Sequence, residues 1–308
     1  MTTYLVTGGA GFVGSCLVDA LSNEKDNRVI VVDNLLTGSK DNINESTNVI
    51  LEITDANDRE KLEAIFNKYT PDFVFHYAAV VGVTRTLENP LMVLDDIKGF
   101  ENTLELSVKF KVKRVFFSSS SEVYGEPVEI PLNEETSPLN AQLPYAVVKN
   151  IGECYFKSYQ KVHGLPFTIF RFFNTYGPKQ SADFVMSKFI RSALKNEPIT
   201  VYGDGSQSRT FGYIDDNIEA TLNALKSEES VNQIYNLGNE NQITILELAK
   251  LVKKCTGSAS EIKHLPALVE GDMKRRQPDS TKMKALLGRE LTDIEVGIKQ
   301  VIEQLAKG

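Results

Sequence analysis

Cysteine is scarce in this chain: Cys16, Cys154 and Cys255 are the three among 308 residues, widely separated and odd in number. That excludes a disulfide framework and offers no metal-ligand spacing. Two of the three fall in segments expected to be helical, so core packing and a reducing cytoplasm fit them. Also missing is any apolar run of about eighteen residues, so no membrane-crossing helix is expected. The chain goes directly into its first strand, which leaves no room for a signal peptide. Positive charge is in deficit, with 34 Lys and Arg against 41 Asp and Glu and a net charge of −7. This argues against nucleic acid or an anionic membrane as partner, while a few local arginines could still hold an anionic small molecule. There is no repeat, low-complexity stretch or linker. What remains, 42% hydrophobic and 24% charged residues, is ordinary for a soluble globular protein, and the length suits one enlarged domain or two.

The strongest local signal is at the start. Tyr4–Thr7 is an uncharged run that reads as a buried strand, followed by Gly8, Gly11 and Gly14. Helical apolar spacing then appears at Val13, Leu17, Val18 and Leu21. Glycines so placed allow a tight turn, close approach of a pyrophosphate and close packing of helix on strand, with the helix N–H groups and dipole receiving the negative charge. Alone the triplet would be only a turn; strand before and helix after are the context the motif requires. A second strand, Arg28–Asp33, ends in an acid where a carboxylate would accept the adenosine ribose hydroxyls. A carboxylate there would repel a 2′-phosphate, so NAD is favoured over NADP.

Strands and helices alternate from residue 3 to residue 170. Further strands are expected at 49–53, 72–76, 114–118 and 165–170, with helices at 58–69, 90–110 and 144–163. This is the pattern of an α/β fold with a Rossmann-type doubly wound parallel sheet. The rest changes character: short strands near 199–202, 210–214 and 233–237, and helices near 183–195, 215–226, 245–255 and from 293. The expected organisation is a NAD-binding domain over residues 1–175 and a smaller α/β substrate lobe over 176–308, interwoven with the first by chain crossings.

Tyr145 and Lys149 lie four apart on an expected helix, hence one turn apart on one face. A phenol titrates near 10, so acting as a base near neutrality needs a shift of about three pH units, about 4 kcal/mol. A neighbouring ammonium and the positive nicotinamide ring favour the phenolate and could supply it. Tyr-x-x-x-Lys arises by chance about once in such a chain; its place, on the helix after the fifth strand, borders the crevice where a nicotinamide lies. The run Ser118-Ser119-Ser120-Ser121-Glu122-Val123-Tyr124-Gly125 leaves that strand at the same edge. A hydroxyl there can hydrogen-bond a substrate alcohol, and Glu122 could act as a second acid or base. Read alone, the run is a serine-rich turn.

Taken together, Thr7–Gly14, Asp33-Asn34, His76–Ala79, the Ser118–Gly125 run, Tyr145-x-x-x-Lys149 and Arg171–Pro178 resemble the extended short-chain dehydrogenase/reductase family, in its nucleotide-sugar epimerase and dehydratase branch. The resemblance runs in order from residue 3 to about 290. It implies bound NAD and a nucleotide-diphosphate sugar substrate. On it the cofactor site comprises Gly8, Gly11, Phe12, Val13 and Gly14, the adenosine residues Asp33, Asn34, Gly38, Glu52 and Ile53, and Ala78, Ala79, Ser118, Tyr145, Lys149 and Phe172. Tyr145 is the implied base, Lys149 its pKa-lowering partner, and Ser120, with Ser121 beside it, the hydroxyl that orients the sugar. Asn174 would contact the diphosphate, and Arg209 and Arg275 would neutralise it.

The chain departs from the family pattern in three places. Asp96 stands where the family often has an asparagine, and Glu52 replaces an adenine-contacting aspartate. Ser121-Glu122 resembles the loop of decarboxylases and some 4,6-dehydratases, yet Val80–Arg85 lacks the decarboxylase Ser-Pro-rich segment. The implied common step is oxidation of the sugar at C4 to a 4-keto sugar. Epimerase-type re-reduction is the reading adopted, with net 4-dehydrogenase, 4,6-dehydratase and decarboxylase as alternatives and a non-catalytic NAD sensor as a different class. Apolar faces on the helices at 90–110 and 144–163 suggest a homodimer.

Overall fold

The computed structural model describes residues 1–81, 89–266 and 276–306. Six strands, β1 (Thr2–Thr7), β2 (Asn27–Asp33), β3 (Val49–Ile53), β4 (Phe73–His76), β5 (Arg114–Ser120) and β6 (Phe167–Phe172), pair in parallel. With the strand Gln233–Leu237 at one edge they form a seven-stranded sheet, ordered Gln233–Leu237, β6, β5, β4, β1, β2, β3. Strand order reverses between β1 and β4, the switch point at which doubly wound sheets bind ligands beyond their carboxyl ends. Leu5, Val6, Val29–Val31, Val74, Phe75, Val115–Phe117, Ile169 and Phe170 are fully buried. Near-continuous burial marks parallel strands covered on both faces. One of these faces packs Leu62, Phe66, Phe100, Leu104, Val148 and Phe156 of the flanking helices.

Local chemistry sets the element ends. The helix Pro144–His163 begins with proline at its first position and stops at Gly164, whose φ of 68° closes it in the left-handed region. The sixth strand starts at Phe167 rather than the expected 165, because Pro166 has no N–H to give to a ladder. The expected helix over 90–110 is two pieces, Pro90–Leu94 and Asp96–Lys109, meeting at Asp95. The expected strand over 210–214 is likewise two, Ser208–Thr210 pairing with Gln242–Thr244 and Gly212–Tyr213 with Thr175–Tyr176. All three cysteines are helical; Cys154 is exposed and the other two are half-buried, so none packs in the core as expected. Cys154 follows the inward-facing Glu153 and therefore points outward.

Two compact units make up the chain. The first comprises Met1–Gly125, Pro138–Phe172 and Thr221–Tyr235; the second comprises Glu126–Ser137, Phe173–Ala220 and Asn236–Gly308. The crossing segments are thus Glu126–Ser137 and Thr221–Tyr235. The second unit holds three two-stranded ribbons and the helices Val185–Leu194, Ile245–Thr256, Thr281–Leu287 and Ile294–Leu305. Among the described residues no helix is long and apolar enough to cross a membrane.

Candidate active site

The glycine turn at the end of β1 is built for bare backbone. Gly8 has φ +68°, and a Cβ there would lie 2.6 Å from Ala78 N. A Cβ on Gly14 would lie 2.2 Å from the Gly8 carbonyl oxygen. Gly11 is the N-cap of the helix Phe12–Ser22, which has no side-chain cap and no acid in its first turn. Half-buried Phe12 and Val13 open that helix. An uncapped helix start with no acidic residue in its first turn suits a pyrophosphate, so the residues present fit a dinucleotide.

Asp33 clamps this turn from the end of β2, its carboxylate accepting from Ala10 N at 2.9 Å and Leu35 N at 2.8 Å. Asn34 accepts from Leu36 N at 3.0 Å and donates to Asp55 at 2.9 Å. Gly38 passes so close to Ala10 that a Cβ would meet its carbonyl carbon at 2.9 Å. Glu52, on β3, accepts from Tyr69 Oη at 2.5 Å and Lys68 Nζ at 2.9 Å. Those two hydrogen bonds hold it below the usual carboxylate range and commit it to the helix Arg59–Tyr69. On the same strand Ile53 is 53% exposed, a flat apolar surface at the sheet edge. Ala78 donates to Thr7 Oγ1 at 3.2 Å, which joins the end of β4 to the end of β1. Ala79 follows half-buried, and Phe172 meets the Tyr77 ring edge-on at 5.8 Å.

Tyr145 is half-buried, and Lys149 Nζ lies 5.8 Å from the centre of its ring. Lys149 is 3% exposed. Its ammonium donates to the Ser118 carbonyl at 2.6 Å and lies 5.0 Å over the Phe117 ring. Burial pulls this amine down to about 8, against the attraction of Asp96. Asp96 itself, accepting from Val80 N at 2.9 Å, is pushed up to about 6 by burial, with Lys149 acting the other way. His76 is buried, its Nδ1 3.1 Å from Thr7 Oγ1 and 3.0 Å from Thr103 Oγ1. Burial and the nearby lysine lower it to about 3, so it is a neutral structural imidazole.

Ser120 ends β5 and caps the single turn Ser121–Tyr124, its hydroxyl accepting from Glu122 N at 3.2 Å. Glu122 is half-buried and Ser121 buried. The helix Pro144–His163 packs against this turn, and Lys149 on that helix reaches the Ser118 carbonyl two residues before Ser120. In the second unit, exposed Asn174 donates to the Thr210 carbonyl at 3.1 Å, beside Arg209, whose guanidinium donates to the Ser208 carbonyl at 2.7 Å. Arg275 lies outside the described residues, as do residues 82–85 of the segment compared with the decarboxylases.

A buried ionic network beneath the site escaped the sequence reading. Glu153 accepts from Ser119 Oγ at 2.6 Å and from Arg171 Nε and Nη2 at 2.8 Å each. Arg171 Nη1 donates to Tyr124 Oη at 2.8 Å. Burial alone would raise Glu153, but the hydrogen bonds and charge of Arg171 outweigh it and leave the carboxyl below its ordinary range. Two signals were available: an arginine inside the apolar run Phe167–Phe172, and a glutamate on the helix stripe that continues from Tyr145 and Lys149.

The sheet topology and the tyrosine–lysine stripe put the chain among the nicotinamide-dinucleotide oxidoreductases of the short-chain type. The particular family follows from residues 4–238, which match the model of the NAD dependent epimerase/dehydratase family. The chain belongs to that family; it is an enzyme and its cofactor is NAD. It is 35% identical over 316 residues to a UDP-N-acetyl-alpha-D-glucosaminuronate decarboxylase of Bacillus cytotoxicus, covering 97% of this chain and 96% of that one. Its fold is similar to a UDP-glucose 4-epimerase of Thermotoga maritima solved with UDP-glucose, at TM-score 0.92 and 35% identity over 99% of both chains. It is also similar to a UDP-glucuronic acid 4-epimerase of Bacillus cereus solved with UDP-glucuronic acid and NAD, at TM-score 0.89 and 28% identity over 99% of both.

Proposed function

We propose that this enzyme oxidises C4 of a nucleoside-diphosphate sugar, as the first half of an epimerase-type cycle. The observation that carries the reading is the buried Lys149 ammonium beside the Tyr145 ring, held by the Ser118 carbonyl. Its positive charge favours the phenolate of Tyr145, which takes the proton of the C4 hydroxyl. Ser120 hydrogen-bonds the same oxygen and holds the sugar in line. NAD, when bound, supplies the acceptor for the C4 hydride. The glycine turn and the start of the helix Phe12–Ser22 hold its pyrophosphate, Asp33 and Asn34 its ribose, Ile53 its adenine, and Ala78, Ala79, Ser118 and Phe172 its nicotinamide half. Asn174 and Arg209 serve the substrate diphosphate, with Arg275 assigned to it by the family likeness. Glu52 is better read as a support of β3 than as an adenine contact, because Tyr69 and Lys68 already engage it.

A second reading rests on Glu122. Next to Ser120 on the same turn, its carboxylate could act on a 4-keto sugar bearing a 6-carboxylate, and decarboxylation would follow. The similarity to a decarboxylase supports that branch as well. Three free cysteines suit a reducing cytoplasm. Exposed Leu91, Met92, Leu94 and Val162 suit pairing of two copies through the helices Pro90–Leu94, Asp96–Lys109 and Pro144–His163.

The test is spectroscopic. Nucleoside-diphosphate sugars with UDP, GDP, dTDP and CDP are added to the NAD-loaded enzyme, and absorbance of reduced nicotinamide is followed with products read by NMR. At least one sugar is expected to reduce the bound cofactor, and Tyr145→Phe to abolish the signal. Silence across the whole panel would leave the C4 reading without support and favour a dinucleotide sensor.

A further inference from the structure

We propose that the Arg171–Glu153 pair is a positioning device, which fixes the Tyr145–Lys149 helix and the Ser120–Glu122 turn in a single mutual register. The inference rests on the C4-oxidation reading, because it concerns the aim of the groups that reading uses. Four side chains from three neighbouring pieces of backbone meet here. Glu153 comes from the helix Pro144–His163, one turn beyond Lys149 and two beyond Tyr145. Arg171 comes from β6, directly across the ladder from Ser119 of β5. Tyr124 closes the turn that begins at Ser121.

The wiring is directional. One face of the guanidinium fork grips both oxygens of Glu153 at 2.8 Å, and the remaining nitrogen reaches Tyr124 Oη, also at 2.8 Å. Ser119 Oγ completes the carboxylate at 2.6 Å. Ser119 and Tyr124 bracket Ser120 and Glu122 in the chain, so the network holds that segment from both sides. A bidentate arginine–carboxylate pair sets two distances at once and removes rotation as well as translation. Gly152 lets the helix come this close, since a Cβ there would lie 2.5 Å from the Phe117 ring.

Stability alone gives little reason to keep such a pair. Both side chains are at most 2% exposed, and a buried ion pair recovers little more than the desolvation it costs, so an apolar pair of similar volume often serves as well. Geometry gives a better reason, because a displacement of about 1 Å at reacting groups can cost about a hundredfold in rate. Phe117 and Phe156, fully buried on the same side of the sheet, would accept an apolar pair, but such a pair would leave the turn untethered.

Three variants test this. Tyr124→Phe removes only the outer hydroxyl, Arg171→Lys keeps the charge without the fork, and the double variant Glu153→Leu/Arg171→Met replaces the pair by apolar volume. Each is measured for bound NAD, for KM and kcat with the sugar that reduces the wild-type cofactor, and for amide hydrogen exchange over residues 119–125. The expected result is kcat about ten- to a hundredfold lower, with KM and NAD content unchanged. Exchange in the turn should be at least several-fold faster than in the wild type. Lysine at 171 should fail to rescue, because it restores charge but not geometry. If Tyr124→Phe or the folded double variant keeps wild-type kcat and exchange, the pair only fills space and the proposal is overturned. A wild type that no sugar reduces would count against the C4 reading; hydrogen exchange in the turn would still decide the positioning role.

Discussion

Asp96→Asn exchanges a carboxylate for an amide of nearly the same shape at the start of the helix Asp96–Lys109. In an unfolded chain this carboxyl titrates near 4; in the folded protein burial raises it to about 6. Two pH units at about 1.4 kcal/mol each make ionisation of Asp96 a burden of about 3 kcal/mol on the folded state. The folded value lies above the unfolded one, so the group's contribution is most favourable below pH 4 and is lost as pH rises through 6. At pH 7 the whole burden is present. Asparagine escapes it and keeps a carbonyl acceptor for Val80 N, now at 2.9 Å from the carboxylate. Part of the gain is returned, because Lys149 loses its one attractive neighbour and is drawn further below its present value of about 8. The net expectation is a gain of about 1–2 kcal/mol at pH 7, a rise in melting temperature of roughly 2–8 °C for units of this size. Near pH 4 the difference should vanish. The surrounding charges are Asp55, Asp95 and Lys149, and all three remain in the variant. Thermal unfolding at pH 4, 5.5 and 7 checks the stability, and the pH profile of cofactor reduction checks the function. With fewer Lys149 cations, turnover at pH 7 should fall several-fold and the alkaline limb should move to lower pH. An Asp96→Asn protein that is less stable at pH 7, or shifted equally at pH 4 and pH 7, would refute the reasoning.

Asp33→Ala removes a charged acceptor assigned to the ribose, an interaction worth about 1.5–3 kcal/mol, so NAD should bind about ten- to a hundredfold more weakly by calorimetry. Equal affinity of the parent for NAD and NADP would contradict that role. Sedimentation should show the parent as a dimer and Leu91→Asp as a monomer, since Leu91 is 77% exposed on the helix Pro90–Leu94. A parent that stays monomeric at every concentration would remove the pairing idea.

What could be read from sequence was whatever local chemistry dictates. The strand–glycine–helix unit and the bounds 144–163 were legible because Pro144 and Gly164 punctuate the chain at those points. The tyrosine–lysine stripe was legible because helical spacing alone places both groups on one face. Long-range partners were not. A strand at 233–237 was expected, but its place beside β6 depends on contacts such as Asn232 N to the Phe167 carbonyl at 2.7 Å. The bond from Tyr69 to Glu52 was not legible either, because the partner comes from a helix seventeen positions on. Arg171 and Glu153 are eighteen positions apart on different elements, and neither looks paired until the helix is laid on the sheet.

The return of Gln233–Leu237 to the edge of β6 gives the nucleotide-binding half a late dependency on distant sequence. A polypeptide stopped at residue 175 would carry the glycine turn, Asp33, Tyr145 and Lys149, yet it would end with β6 as a bare ladder open to self-association. Arg114 would lose the Ala224 and Ser227 carbonyls, and Thr168 the Ser230 carbonyl. Grafting this half onto a foreign partner therefore means transplanting a discontinuous piece of chain, and shuffling between relatives has to exchange both stretches together.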